Sequence, residues 1–264
     1  MPASTYEGDI YFGSILLERN RWSPGKQPSY LVSDWMPKLK NDGFDGIELW
    51  ENHAILSSNE ELDRLSSPLL PVSVFNSYIS FEDGEEEQRR REQAARYIRQ
   101  LGAKAVKFNF GREPERLEVY IRNWKQWEQL LPADCRILCE CHPNTVLEEP
   151  QAAAAAFKLM GADRCEAIVH PFHSLGPLGD WFTHLGSFIT HAHVQYRNSA
   201  NAFLRLSSNP AEVEEHLAAM KKAGFKGSFT LEFAQGTGPD ETQNALYEAA
   251  FDDLSLLRQW QQNK

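Results

Sequence analysis

At 264 residues, with 37 acidic against 27 basic side chains and a formal charge of -10, the chain can hold one large core and carries the wrong charge balance for gripping a phosphate backbone. Its start, MPASTYEGDIYF, lacks the basic opening and apolar run of a secretory leader, and no stretch reaches the roughly 18 apolar residues that span a bilayer. A cytoplasmic protein with no nucleic-acid and no membrane partner is expected.

Strand-like runs alternate with longer helical patterns along the chain. DIYFGSI (9–15) comes first, and the glycine turn NDGFDG (41–46) leads into DGIELW (45–50). PVSVFNSY (71–78) follows, then a charged helix from Gly84 to Leu101 that stops at Gly102, then AKAVKFNF (103–110). A helix from Glu113 to Leu131 carries Pro114 in its first turn and ends at Pro132, before RILCECH (136–142). An alanine-rich helix from Pro150 to Met160, closed by Gly161, precedes EAIVHPF (166–172) and SFITHAHV (187–194). A helix from Pro210 to Ala223 stops at Gly224, GSFTLEF (227–233) follows, and a last helix runs from about Asp240 to Gln261.

Eight strands close a (β/α)8 TIM barrel of about 250 residues, and no Ser/Pro/Gly-rich linker divides the chain, so one α/β domain over 1–264 is expected. An open doubly wound sheet would need a glycine-rich phosphate turn after the first strand, and GSILLERNR lacks that spacing. DGFDGIELW and AGFKGSFTLEF read as one helix-to-strand connection used twice, each entering a strand with a glutamate. Cys135, Cys139, Cys141 and Cys165 fall in or beside strands, without zinc-knuckle spacing, and are read as buried free thiols.

Four apolar runs in the second half end on potential metal ligands: Glu140 and His142, His170 and His173, His191 and His193, and Glu232. Alternation puts Leu138, Glu140 and His142 on one side of their strand, with Ile137, Cys139 and Cys141 on the other. By the same rule Ile189, His191 and His193 share a side, as do Ser228, Thr230 and Glu232. Two carboxylates and two imidazoles at neighbouring strand ends make a donor set for one divalent cation, with manganese expected first and zinc, cobalt, iron or magnesium as alternatives. Any one histidine alone reads equally as a hydrogen-bonded structural residue, but a glutamate in an apolar run needs a partner for its charge.

With these residues the chain resembles the xylose isomerase-like barrel superfamily, the branch holding ketose 3-epimerases, hydroxypyruvate isomerase, inosose dehydratase and endonuclease IV, over nearly its whole length. The resemblance implies one catalytic divalent metal held by the glutamate after strand five, the aspartate or histidine after strand six, the histidine after strand seven and the glutamate after strand eight. Those positions are Glu140, His170, His193 and Glu232. It further implies that His173, in HPFH, and Arg197, in HVQYRN, touch substrate. The strand-six ligand is histidine where the epimerases usually have aspartate, and Arg197 stands closer to its histidine than in the epimerases.

Other residues are assigned to the barrel mouth. Glu48 and His53, in GIELWENH, are expected to meet substrate, with a surface salt bridge as the alternative for Glu48, and Trp50 to form an apolar wall or simple packing. Lys107 and Asn109 share a face, and Lys107 either binds an oxyanion or pairs with Glu48 or another barrel acid. His142 orients Glu140 or reaches substrate, and His191, one layer deeper, hydrogen-bonds behind the ligands.

The implied reaction removes a proton beside a carbonyl of a ketose or keto-sugar to give an enediolate, with Glu140 and Glu232 as opposed base and acid. Returning the proton on the other face is epimerisation, and returning it to the adjacent carbon is isomerisation. Expelling a β-oxygen makes a lyase or dehydratase, the alternative. An endonuclease-like hydrolase and a non-catalytic sugar-binding barrel rank below these. A homodimer or homotetramer is also considered, with Tyr120, Trp124 and Trp127 of one helix face covering either a second subunit or the barrel itself.

Overall fold

The computed structural model describes residues 8–67, 69–161, 164–172, 178–198, 200, 202–235 and 241–262. Among the described residues nine strands form: β1 (Ile10–Gly13), β2 (Gly46–Trp50), β3 (Val72–Asn76), β4 (Ala105–Phe108), β5 (Arg136–Glu140), β6 (Cys165–Val169), β7 (Ile189–Arg197), β8 (Phe203–Leu204) and β9 (Ser228–Phe233). β1 to β7 and β9 pair side by side, all parallel, and the β6–β7 and β1–β9 pairings close them into a single eight-stranded barrel. The remaining strand, β8, pairs antiparallel with the end of β7, setting Arg197 opposite Phe203 and carrying β7 beyond its expected end.

Helices surround the barrel: α1 (Val32–Asn41), α2 (Asn52–Ile55), α3 (Asn59–Leu65), α4 (Glu85–Leu101), α5 (Leu117–Glu128), α6 (Pro150–Met160), α7 (Leu178–Leu185), α8 (Pro210–Lys222) and α9 (Gln243–Gln262). α4 shows why the long ones were legible. Three glutamates in its first turn complement the helix dipole, and Gly102 ends it in the left-handed conformation at φ 65°. α1, whose end the glycine turn at 41–46 marks, holds a proline at Pro37, while α2, only four residues long, α3 and α7 fill stretches without a helical assignment from sequence. The helix expected from Glu113 opens as a 3-10 turn over Pro114–Arg116 and becomes α-helical at Leu117. Among the described residues no helix is long and apolar enough to cross a membrane.

The core lies between barrel and helices. Tyr120, Trp124 and Trp127 are buried in it, and Trp127 donates Nε1–H to the Arg91 carbonyl at 3.0 Å. That face of α5 covers its own barrel, which removes the surface proposed for a second subunit. All four cysteines are free and buried.

Inside the barrel the side chains are layered. Arg136, Glu166 and Thr190 join by ion pair and hydrogen bonds at the floor, and Val74, Ala105, Leu138 and Ile168 pack with Tyr11 above them. In β7 the register slips between the pairs Ala167–Ile189 and Ile168–His191. This irregularity corrects the simple alternation: Ile189 packs in the outer core, while Thr190 and His191 both bond to interior side chains.

Candidate metal centre

Polar side chains fill the upper layer of the barrel. β5 supplies Glu140, the residue after β6 is His170, β7 supplies His193, and β9 supplies Glu232, all buried. One ligand atom from each lies within 4.8 Å of all the others. Glu140 Oε1 is 3.0 Å from His170 Nε2 and 3.1 Å from His193 Nδ1, and Glu232 Oε2 is 3.6 Å from the same Nδ1. Donors about 2.0–2.2 Å from one ion stand about 3.5 Å apart in a tetrahedral set, so these residues fit a single divalent cation, with the mixed N and O donors expected for manganese, iron, cobalt or zinc.

The two carboxylates differ in their surroundings. Glu140 Oε2 takes an ion pair from Lys107 Nζ and a hydrogen bond from Asn109 Nδ2, both at 2.7 Å. Burial works to raise the Glu140 carboxyl, yet Lys107 and the two imidazoles outweigh it and hold it well below the usual carboxylate range. Glu232 accepts a hydrogen bond from Gln195 Nε2 at 3.0 Å, and burial pushes it up to about 7 against the pull of His193. Burial opposes the charge of Lys107, but Glu140 holds the ammonium well above its ordinary value, over the face of Tyr78 at 4.2 Å.

A third carboxylate lies beneath the cluster. Glu48 is 1 % exposed, with Oε2 3.2 Å from His193 Nε2 and accepting from Thr230 at 2.8 Å, while Oε1 accepts from Asn76 Nδ2 at 2.7 Å. Burial favours its neutral form, but His193 and His191 outweigh that and keep it ionised. Glu48, His191 and His193 also group within ligand distance. His191 is committed to Ser228 and Thr230 at 2.8 and 3.0 Å, however, and none of the three lines the cavity. They brace the upper set.

Above the cluster opens a cavity of about 500 Å³ whose wall includes Glu140, Glu232, Asn109, His142, Gln195 and Arg197. His142 has Nδ1 2.7 Å from the Pro143 carbonyl, and its ring is 5.9 Å from that of His170. Arg197 donates to Gln195 Oε1 at 3.2 Å and lies 4.1 Å over the Phe203 ring.

Four residues assigned to the mouth sit elsewhere, and Lys107 is one, buried beneath the cavity in its ion pair with Glu140. Glu48 is neither at the surface nor on the cavity wall. His53 turns away on α2 into a pocket with Tyr30 and Trp50, 3.6 Å from Glu18, where burial lowers it to about 3 and keeps it neutral. Trp50 is buried with Ile15, Phe203 and Phe233. His173 lies outside the described residues. Sequence reasoning passed over Gln195, although alternation from His193 puts it on the same face two residues on, and over Tyr78 and Trp22, which line the cavity from segments beyond β3 and β1.

A family profile described as xylose isomerase-like TIM barrel matches residues 37–255. The chain belongs to that family. Among solved structures, this family member is similar to the probable 3-DHS dehydratase of petrobactin synthesis from Bacillus anthracis, at 17 % identity and TM-score 0.71, covering 96 % of this chain and 99 % of that one. A D-psicose 3-epimerase from Clostridium cellulolyticum H10 aligns at 12 % identity and TM-score 0.73, over 95 % and 98 % of the two chains. A 3-keto-D-glucoside 4-epimerase from E. coli aligns at 14 % and 0.65, over 96 % and 100 %. At these identities the likeness is one of fold. No curated protein matches the sequence.

Proposed function

We propose that this xylose isomerase-like barrel is a divalent-metal-dependent isomerase or epimerase of a ketose or keto-sugar, working by proton removal beside a carbonyl. The observation that carries this reading is the convergence of Glu140 and Glu232 on one donor cluster at the foot of a cavity sized for a small polar molecule. A divalent cation there supplies positive charge against the oxyanion that develops as the carbon loses its proton. Manganese ranks first for the mixed donor set.

The chain's own residues divide the remaining work. Glu140, held ionised by Lys107 and Asn109, faces the cavity from β5 and is assigned to take the proton from one face of the carbon. Glu232, tied through Gln195, open to the cavity and pushed up by burial so that it can carry a proton, is assigned to give its proton to the opposite face. Gln195 and Arg197 hold the substrate's oxygens on the β7 side. One observation favours a lyase as the second reading: His142, oriented by the Pro143 carbonyl, stands on the cavity wall where it can protonate a departing oxygen.

Deuterium entry beside the carbonyl tests both readings, using ketoses, keto-glycosides and inososes in D2O with each divalent metal. The expected result is metal-dependent exchange that falls by about 10²–10⁴-fold in Glu232→Gln and Glu140→Gln. Exchange without release of an oxygen leaving group assigns the isomerase or epimerase, and release assigns the lyase. Ligand binding with no exchange in any case rejects catalysis.

A further inference from the structure

The described charged side chains that line the cavity are Glu140, Glu232, Arg112 and Arg197. Two more press on them from beneath: Lys107 at 2.7 Å from Glu140, and Glu48 through His193. Three carboxylates therefore face three permanent cations, and these six charges cancel. A divalent ion in the four-residue cluster leaves its positive charge uncompensated, in a site where Glu140 is already neutralised by a buried ammonium. A neutral sugar does nothing to relieve that excess, whereas a ligand carrying one negative charge offsets part of it. The field at the mouth also draws anions in.

The position of the cations narrows the chemistry. Arg197 ends β7 and rests on the Phe203 ring at 4.1 Å, with Gln195 accepting from it at 3.2 Å and passing a hydrogen bond on to Glu232. This guanidinium is held over an aromatic face beside the reacting end of the cavity, with part of its ordering cost already met by the fold. Arg112, after β4, stands exposed on the same cavity. A planar fork of N–H donors matches a carboxylate in two parallel hydrogen bonds. The aromatic wall of Trp22, Tyr78, Phe81 and Phe233 suits the carbon skeleton between that carboxylate and the metal end.

We infer that the substrate is a polyhydroxylated acid, a keto-sugar or cyclic polyol bearing a carboxylate, whose acid group is taken by Arg197 with Arg112 at the rim. This inference rests on the metal-dependent reading above and narrows its substrate class.

Calorimetric titration of the Mn2+-loaded protein with D-glucuronate, D-glucose and D-glucose 6-phosphate is the test, repeated on Arg197→Gln, Arg197→Lys and the exposed-site variant Arg112→Gln. D-Glucuronate is expected to bind at least about tenfold tighter than D-glucose, the strength of one charge-assisted pair. That gap should shrink several-fold in Arg197→Gln, partly return in Arg197→Lys, and narrow in Arg112→Gln and with added salt. The inference is overturned by equal binding of acid and neutral sugar, by a gap that survives Arg197→Gln and so reports the acid sitting on the metal, or by tighter binding of the phosphate. Solvent exchange into a neutral ketose without any acid preference overturns the acid alone, while acid binding without exchange on any substrate overturns the catalytic reading alone.

Discussion

Glu48 shows at the scale of one residue what position inside a barrel does to a side chain. Its Oε2 is 3.2 Å from His193 Nε2, and Asn76 and Thr230 fix the carboxylate in turn. A carboxylate holding one imidazole nitrogen as N–H leaves the other to face a cation, and here Nδ1 faces Glu140 and Glu232. Glu48→Gln is therefore expected to weaken Mn2+ binding by about 10–100-fold, read by calorimetry, with the metal-free melting temperature little changed because the amide keeps an acceptor for Asn76. Unchanged affinity would remove Glu48 from this role. The residue was visible in the sequence as a glutamate in an apolar strand, placed at the strand's end. Its depth was not visible, since the layer a side chain occupies is set by the stagger between strands, which the chain's own period does not encode. His53 was misplaced for a related reason: the chain turns into α2 at Asn52 and carries that imidazole away from the mouth.

Among the elements, the twice-used connection explains why its glycines are there. Gly43 and Gly224 end α1 and α8 with φ at 98° and 80°, a backbone that favours glycine. The second glycine of each, Gly46 at the start of β2 and Gly227 just before β9, sits where the neighbouring strand comes too close for a methyl group. At Gly46 the obstacle is the Ser73 side chain, which can rotate; at Gly227 it is the backbone carbonyl of Thr190, at the irregular start of β7. Gly227→Ala is therefore expected to lose about 3 kcal/mol or more of stability, and clearly more than Gly46→Ala, as measured by urea denaturation. Equal losses would mean that β7 yields as easily as a serine rotamer. The repeat itself was legible because both turns impose the same backbone demand. The irregularity in β7 was not, because it belongs to pairing with β6, and α2, α3 and α7 escaped for lack of length or an uninterrupted pattern.

For the whole molecule, stability as a function of pH is set by buried groups far apart. Asp253, on α9, accepts from the Leu206 N–H at 2.8 Å, and burial pushes its carboxyl up to about 8. Folded protein thus holds a proton there that the unfolded chain gives up near pH 4, so stability falls as pH rises from about 4 to 8. His53 works in the opposite sense. Burial lowers it to about 3 against about 6.5 unfolded, so the unfolded chain binds the extra proton and stability rises with pH across that window. Between about pH 4 and 6.5 these two slopes oppose each other, and above 6.5 only Asp253 of the pair still changes stability. Over that last interval its effect is a loss of about 2 kcal/mol, at about 1.4 kcal/mol for each unit of pH. Asp253→Asn keeps an acceptor for Leu206 but has no proton to lose. With Arg205 and Asp252 beside it in both proteins, the difference between their curves isolates this one carboxyl. Denaturation from pH 5 to 9 at one fixed Mn2+ concentration should show the native chain losing about 2 kcal/mol more than Asp253→Asn between 6.5 and 8. Parallel curves would mean that Asp253 is already ionised in the fold, its charge supported by Arg205 rather than suppressed by burial.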